Sequence, residues 1–174
     1  MKSTEVYSQL RAELGPWLKS LGFKRAKGLL SWSRQYGEMQ TVVWFQISQS
    51  GWEAYSGSQF VVEFQRSLEP RGGTIGGRRQ RLAAFLSELE REEVRSIQNS
   101  IIASLSHPPH NHPFLHVSPT VSEHYLKQFR PVTTPYSEGQ DIWFRYASPE
   151  HVGTWSKFFL RKLPQCFEKI EAMG

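Results

Sequence analysis

The sequence predicts an α+β fold: a single antiparallel sheet of four to six strands with the N- and C-terminal helices packed on one face. Three observations point there. Between Phe23 and Arg66, runs of alternating aromatic and β-branched residues follow one another with turn residues between them, which is the period-two signature of strands. The chain opens and closes on apolar residues at helical spacing, the mark of amphipathic helices. Its 174 residues suit one domain, a size at which roughly 70% of the unfolded surface is buried.

Val6, Leu10, Leu14, Trp17, Leu18 and Leu21 share one helical stripe and predict a first helix over residues 4–21. Pro16 removes a backbone donor and crowds the preceding turn, so a kink near Gly15 is expected, with Gly22 closing the helix. Strands are predicted at 28–36, 41–49 and 59–67 as a meander, and a fourth, distant strand at 141–146 joins the same sheet. Residues 71–79, Arg71-Gly72-Gly73-Thr74-Ile75-Gly76-Gly77-Arg78-Arg79, are too glycine-rich for regular structure and read as a loop. A helical turn is expected at 80–86. Ser87 with Glu90 three residues on forms a capping box that opens a long helix through Val94, Ile97, Ile101 and Leu105.

Prolines at 108, 109 and 113 end that helix, and residues 106–136 form a proline- and histidine-rich excursion with at most a short helix near 121–129. The last helix starts at Ser148, with Pro149 in its first position and Glu150 in its first turn. Val152, Trp155, Phe159 and Leu163 are its buried stripe. Pro164 is expected to break it, leaving Phe167 and Ile170 to pack from a short terminal helix.

Hydrophobic residues at 39% and aromatics at 13% exclude a wholly disordered chain. The single cysteine, Cys166, forms no internal disulfide and fits a reducing, cytoplasmic setting; it reads as a half-buried packing residue. No run approaches the ~18 apolar residues of a membrane span. The formal charge of +5 allows nucleic acid or an acidic partner without selecting either.

Alternation divides the strands into two faces. Val43, Phe45 and Ile47, then Phe60, Val62 and Phe64, then Ile142, Phe144 and Tyr146 form the core side. The other side carries Val42, Trp44, Gln46 and Ser48; Val61, Glu63 and Gln65; Asp141, Trp143 and Arg145. Trp32 and Arg34 are read onto this second side. Tryptophans beside charged groups mark a stacking surface with anchors, and Trp44, Gln46, Glu63, Asp141, Trp143 and Arg145 are the candidate partner-binding residues.

Other constellations are less specific. His107, His110, His112 and His116 invite a metal reading, but prolines interrupt them and no cysteine pair or helical His-x-x-x-His accompanies them. Arg71, Arg78, Arg79 and Arg81 near a helix start are candidate anion ligands, although the loop lacks the Gly-Lys-Ser/Thr ending of a phosphate-binding loop. No carboxylate pair stands out for catalysis: Glu63 with Glu53 or Asp141 can pair across the sheet, but without a nucleophile or metal beside it. No cofactor is expected.

Leu21-Gly22-Phe23-Lys24-Arg25, Gly28, Trp32-Ser33-Arg34, Val43-Trp44-Phe45-Gln46-Ile47-Ser48, Phe60-Val61-Val62-Glu63-Phe64 and Asp141-Ile142-Trp143-Phe144-Arg145-Tyr146 occur in that order. In this the chain resembles a bacterial domain-of-unknown-function family, in which a helix leads into a Gly-Phe-Lys step, an aromatic-x-Arg strand and a strand carrying glutamine. The resemblance implies a small α+β domain and no particular activity.

The expectation for function is a non-catalytic binding module that recognises a protein or peptide partner through the polar-aromatic face. Anion or nucleic-acid binding through the basic loop is the alternative, and an enzyme with a site in the sheet groove ranks third.

Overall fold

The computed structural model describes residues 1–73 and 77–173. Helices α1 (Ser3–Ser20), α2 (Glu88–Ala103), α3 (Pro119–Leu126) and α4 (Pro149–Ala172) accompany strands β1 (Lys24–Arg25), β2 (Ser31–Tyr36), β3 (Met39–Ile47), β4 (Ser58–Ser67), β5 (Arg78–Arg81) and β6 (Phe144–Tyr146). The strands make one antiparallel sheet in the order β1-β2-β3-β4-β5. On the far side of β4 from β3, β5 pairs with the end from Glu63 to Arg66 and β6 with the beginning, from Ser58 to Phe60. β4 is therefore paired along both edges, and nine of its ten residues are buried.

Alternation fixes one face as core. Val43 lies opposite Phe64, Phe45 opposite Val62 and Ile47 opposite Phe60, and these side chains join Phe144 and Tyr146 beneath α4. Phe159 of α4 is central: its ring meets Phe45 at 5.6 Å, Phe60 at 5.9 Å and Phe144 at 5.1 Å. Helix α1 packs beside α4 and contributes Val6, Leu10, Leu14 and Leu18.

Trp32 lies opposite Val43 in the β2–β3 register, so it belongs to the core face and not to the second face. Arg34 follows it at the rim of that same face. There its guanidinium holds Glu171 at 2.8 and 2.9 Å and lies 4.9 Å over the Phe23 ring.

The break expected at Pro164 is absent, since α4 continues through it, and α1 is likewise continuous through Pro16. A proline inside a helix costs about 3 kcal/mol. Leu14 and Leu18, and Leu163 and Phe167, are buried on either side of the two prolines, and each such side chain contributes roughly 1.5–3 kcal/mol. Packing wins over the local penalty.

The stretch expected as loop and helical turn also differs. Residues 78–81 are strand β5 and only Leu82–Phe85 is a 3-10 turn. The unpaired edge of β4 supplies the hydrogen bonds that override the local preference, with Glu63 opposite Arg81 and Gln65 opposite Arg79. Residues 74–76 of the glycine-arginine loop lie outside the described residues. The strand expected at 141–146 is regular only at Phe144–Tyr146, although Ile142 is buried.

The capping box at Ser87 forms, with Ser87 N–H donating to the Glu90 carboxylate at 2.8 Å and Glu90 N–H to Ser87 Oγ at 3.3 Å. It aims α2 along the outer edge of β6. There Gln98 acts as a substitute strand: its amide nitrogen donates to the Trp143 carbonyl and its amide oxygen accepts from Arg145 N–H, each at 3.2 Å. The 106–136 excursion contains α3 and two short 3-10 turns at Pro113–Leu115 and Lys127–Phe129. Its return is strapped to α2 by Asn99, whose side chain bonds both N–H and C=O of Val132. Among the described residues no helix is long and apolar enough to cross a membrane.

Candidate functional site

The second face of the sheet has a closed half and an open half. Across the closed half run the rungs Ser31, Trp44, Glu63, Arg81 and Ser33, Val42, Gln65, Arg79. The Gly72–Gly73 backbone lies directly on the Trp44 indole. A side chain at Gly72 would bring its Cβ within 2.5 Å of Trp44 Cγ, so only glycine permits this contact. Gly73 N–H donates to Gln65 Oε1 at 3.1 Å and fastens the cover.

Charges in this half are matched. Glu63 is 3% exposed, accepts from Arg79 Nε and Nη2 at 2.8 and 3.0 Å, and has Arg81 Nη1 at 3.3 Å. Arg81 Nε also reaches Asp141 at 3.2 Å. A bidentate guanidinium–carboxylate pair is the strongest kind of charge-assisted contact, and the hydrogen bond to Glu63 raises the pKa of Arg79. Thus Glu63 and Asp141, read as partner-binding, and Arg79 and Arg81, read as anion ligands, hold one another. Arg78 donates to the Met173 carbonyl.

The open half lies at the other end of the strands. A cleft of about 530 Å³ is lined by the β3–β4 turn (Ser48, Glu53, Ser56), by Gln59 and Arg145 on the sheet, and by Phe114, Val121, Tyr125 and Gln128 of the excursion. Phe114 and Val121 are 43% and 37% exposed and form an apolar rim. His124 and Lys127 also line the cleft.

Glu53 assembles the walls. One carboxylate oxygen accepts from Tyr55 N–H at 3.0 Å, Ser56 N–H at 2.7 Å, Ser56 Oγ at 2.9 Å and Tyr125 Oη at 3.0 Å. Burial works to raise this carboxyl, but those hydrogen bonds outweigh it and hold its pKa below the ordinary value. Burial, with the same carboxylate next in strength, pushes the Tyr125 phenol up. The second carboxylate oxygen lies 3.4 Å from His112 Nε2, and the His112 ring stacks on Tyr125 with centroids 4.9 Å apart.

At the floor, Arg145 is 8% exposed. Its Nη1 donates to the Ser56 carbonyl at 2.7 Å and to Gln128 Oε1 at 3.4 Å, while Nε is buried without a partner. Among the described residues no carboxylate comes within 4.0 Å of this guanidinium. Burial presses its pKa down, opposed by the nearby Tyr136 phenol. The close fit behind it depends on Gly57, where a Cβ would meet the Tyr146 carbonyl oxygen at 2.1 Å.

Trp143 is 36% exposed and its carbonyl faces Gln98; among the described residues no ring contact joins it to Trp44. Gln46 is half-buried with Nε2 unpartnered. The histidines disperse: His107 lies against Phe129, His116 bonds the His110 carbonyl, and His112 belongs to the Glu53 cluster. Among the described residues no group of three or more His, Cys, Asp or Glu is placed to hold a metal ion.

A second cavity of about 730 Å³ at the β1 end is lined by Lys24, Arg25, Lys27, Arg34 and Arg71, with no acidic residue among the described residues of its wall. Sequence reasoning found Arg145 and Arg71 but not the residues around them. Ser56, Tyr125 and Gln128 come together only through the chain crossing of the excursion, and nothing in their local sequence signals it.

No family model, no curated protein and no solved structure matches this chain.

Proposed function

We propose that the protein is a non-catalytic binding module whose partner, a protein or peptide segment, docks in the cleft between the β3–β4 turn and α3. The observation that carries this reading is the combination in one concave site of an exposed apolar rim, Phe114 and Val121, with a polar floor at Gln59, Gln128 and Arg145. Recognition sites pair apolar area with a few placed polar groups. The ionisable groups of the walls hold one another, as Glu53 does Tyr125 and His112, which favours binding over acid–base chemistry. Of the residues read onto the polar-aromatic face, Arg145 enters this reading, while Trp44 and Glu63 serve the closed half.

The test is selection of peptides from a displayed random library on the immobilised full chain. Recovered peptides are expected to bind in solution and to weaken at least tenfold with Phe114→Glu or Val121→Glu, both rim changes that leave the melting temperature in place. Peptides indifferent to both substitutions, or no enrichment, overturn the reading.

A second reading, binding of nucleic acid at the β1 end, is favoured by the cavity lined with Lys24, Arg25, Lys27 and Arg71. Its mark is steep loss of affinity for a labelled single-stranded oligonucleotide as salt rises, because counterions are released on contact. Flat or absent binding removes it.

A further inference from the structure

Resting on the reading of the cleft as the partner site, we propose that Arg145 is an oxyanion anchor, and that the docking segment presents a carboxylate or a phosphate ester to it, followed by an apolar group on Phe114 and Val121. A guanidinium stays charged at any physiological pH, and a buried charge is kept only where something compensates it. Among the described residues Glu63 has two arginines and Glu171 has Arg34, while Arg66, buried without a carboxylate, donates to the Tyr36 carbonyl and Thr41 Oγ1, lies 5.3 Å over the Tyr36 ring and lines neither cavity. Among the described residues Arg145 has the Ser56 carbonyl and Gln128 on one nitrogen, leaves Nε unpartnered and lines the cleft. Those two contacts orient the guanidinium without neutralising it.

The rest of the cleft agrees with an anion. Among the described residues Glu53 is the one acid in the lining, and its oxygens are directed at Tyr55, Ser56, Tyr125 and His112. Lys127 adds a cation to the lining. Ser48, Ser50 and Gln59 supply neutral hydrogen-bonding groups for the remaining oxygen lone pairs. A planar fork favours bidentate capture of a carboxylate or phosphate, and the Gln98 bond to Arg145 N–H fixes the backbone that carries it.

The experiment uses the full chain and three probes with one tail: hexanoate, hexyl phosphate and the neutral hexanamide. Binding is read by NMR titration at constant ionic strength and by competition with a cleft-binding peptide. Hexanoate or hexyl phosphate is expected to bind at least tenfold more tightly than hexanamide, and whichever wins identifies the anchor group as carboxylate or phosphate ester. Arg145→Met is expected to erase the preference, leaving the three probes equal. Gln128→Ala, which keeps the charge and loosens its pose, is expected to shrink the preference severalfold and serves if Arg145→Met does not fold. Equal affinity of all three probes for the unaltered chain overturns the anchor while a cleft-dependent peptide leaves the partner reading standing. Peptide binding that ignores Phe114→Glu and Val121→Glu overturns the partner reading, and the anchor with it.

Discussion

The two halves of the second sheet face use the same residue types to opposite ends. In one, Glu63 sits between Arg79 and Arg81 under a lid made of Gly72, Gly73 and the Trp44 ring. In the other, Arg145 is also buried, with no carboxylate beside it among the described residues and an apolar rim above. A polar group whose partners all lie within the chain works for the fold. One that is buried without its countercharge and also lines a cleft leaves a term that a ligand can supply, and the proposal for Arg145 rests on that contrast.

The contrast is broken most severely at Glu63. Glu63→Ala leaves two arginines facing a pocket built for their carboxylate and is expected to cost about 3 kcal/mol in denaturant unfolding; a loss under about 1 kcal/mol means the closed half is not held by charge. Gly72→Ala drives a methyl into the Trp44 ring and is expected to cost about 2 kcal/mol, with a visible change in tryptophan fluorescence. A neutral result there means the cover shifts freely. Arg145→Met removes a charge without a countercharge, so stability is expected to stay level or rise by up to about 1 kcal/mol. A loss above about 2 kcal/mol would make Arg145 a brace of the Arg79 kind.

Cys166 sharpens all three measurements. Burial pushes its thiol up to about 12, against the smaller opposing effect of Lys169, so at pH 8 the native chain is expected to be silent toward a thiol-specific disulfide reagent. Each destabilised variant should then react in proportion to its unfolded population, whereas Arg145→Met should react no faster than the parent. Rapid reaction of the parent chain would show that α4 opens on its own.

Parity made the core face legible: the sets Val43, Phe45, Ile47 and Phe60, Val62, Phe64 follow from the two-residue period of strands alone. It failed at Trp32 because alternation sorts residues within a strand, while the face each set takes depends on register, here set by the tight turn that places Tyr36 opposite Met39. Arg78 and Arg79 read as loop, and Arg81 as helical turn, because their strand exists only by pairing with β4. Pro164 misled for a related reason, since burial on both sides outvotes a local rule. Arg145 was visible as a polar residue in an aromatic strand. Its missing countercharge was not, because that absence involves residues from the β3–β4 turn to the excursion.

The arginines of β5 have one more consequence. Sheets fail most often at their margins, where an unpaired backbone can template the addition of another copy and seed aggregates. Here β1 is two residues long and consists of Lys24 and Arg25, β5 is four residues long and carries Arg78, Arg79 and Arg81, and β6 is sealed by Gln98. Two copies approaching margin to margin would bring like charges together on short ladders. The cations that look from sequence like an invitation to a ligand thus also act as gatekeepers that keep one sheet from extending into another.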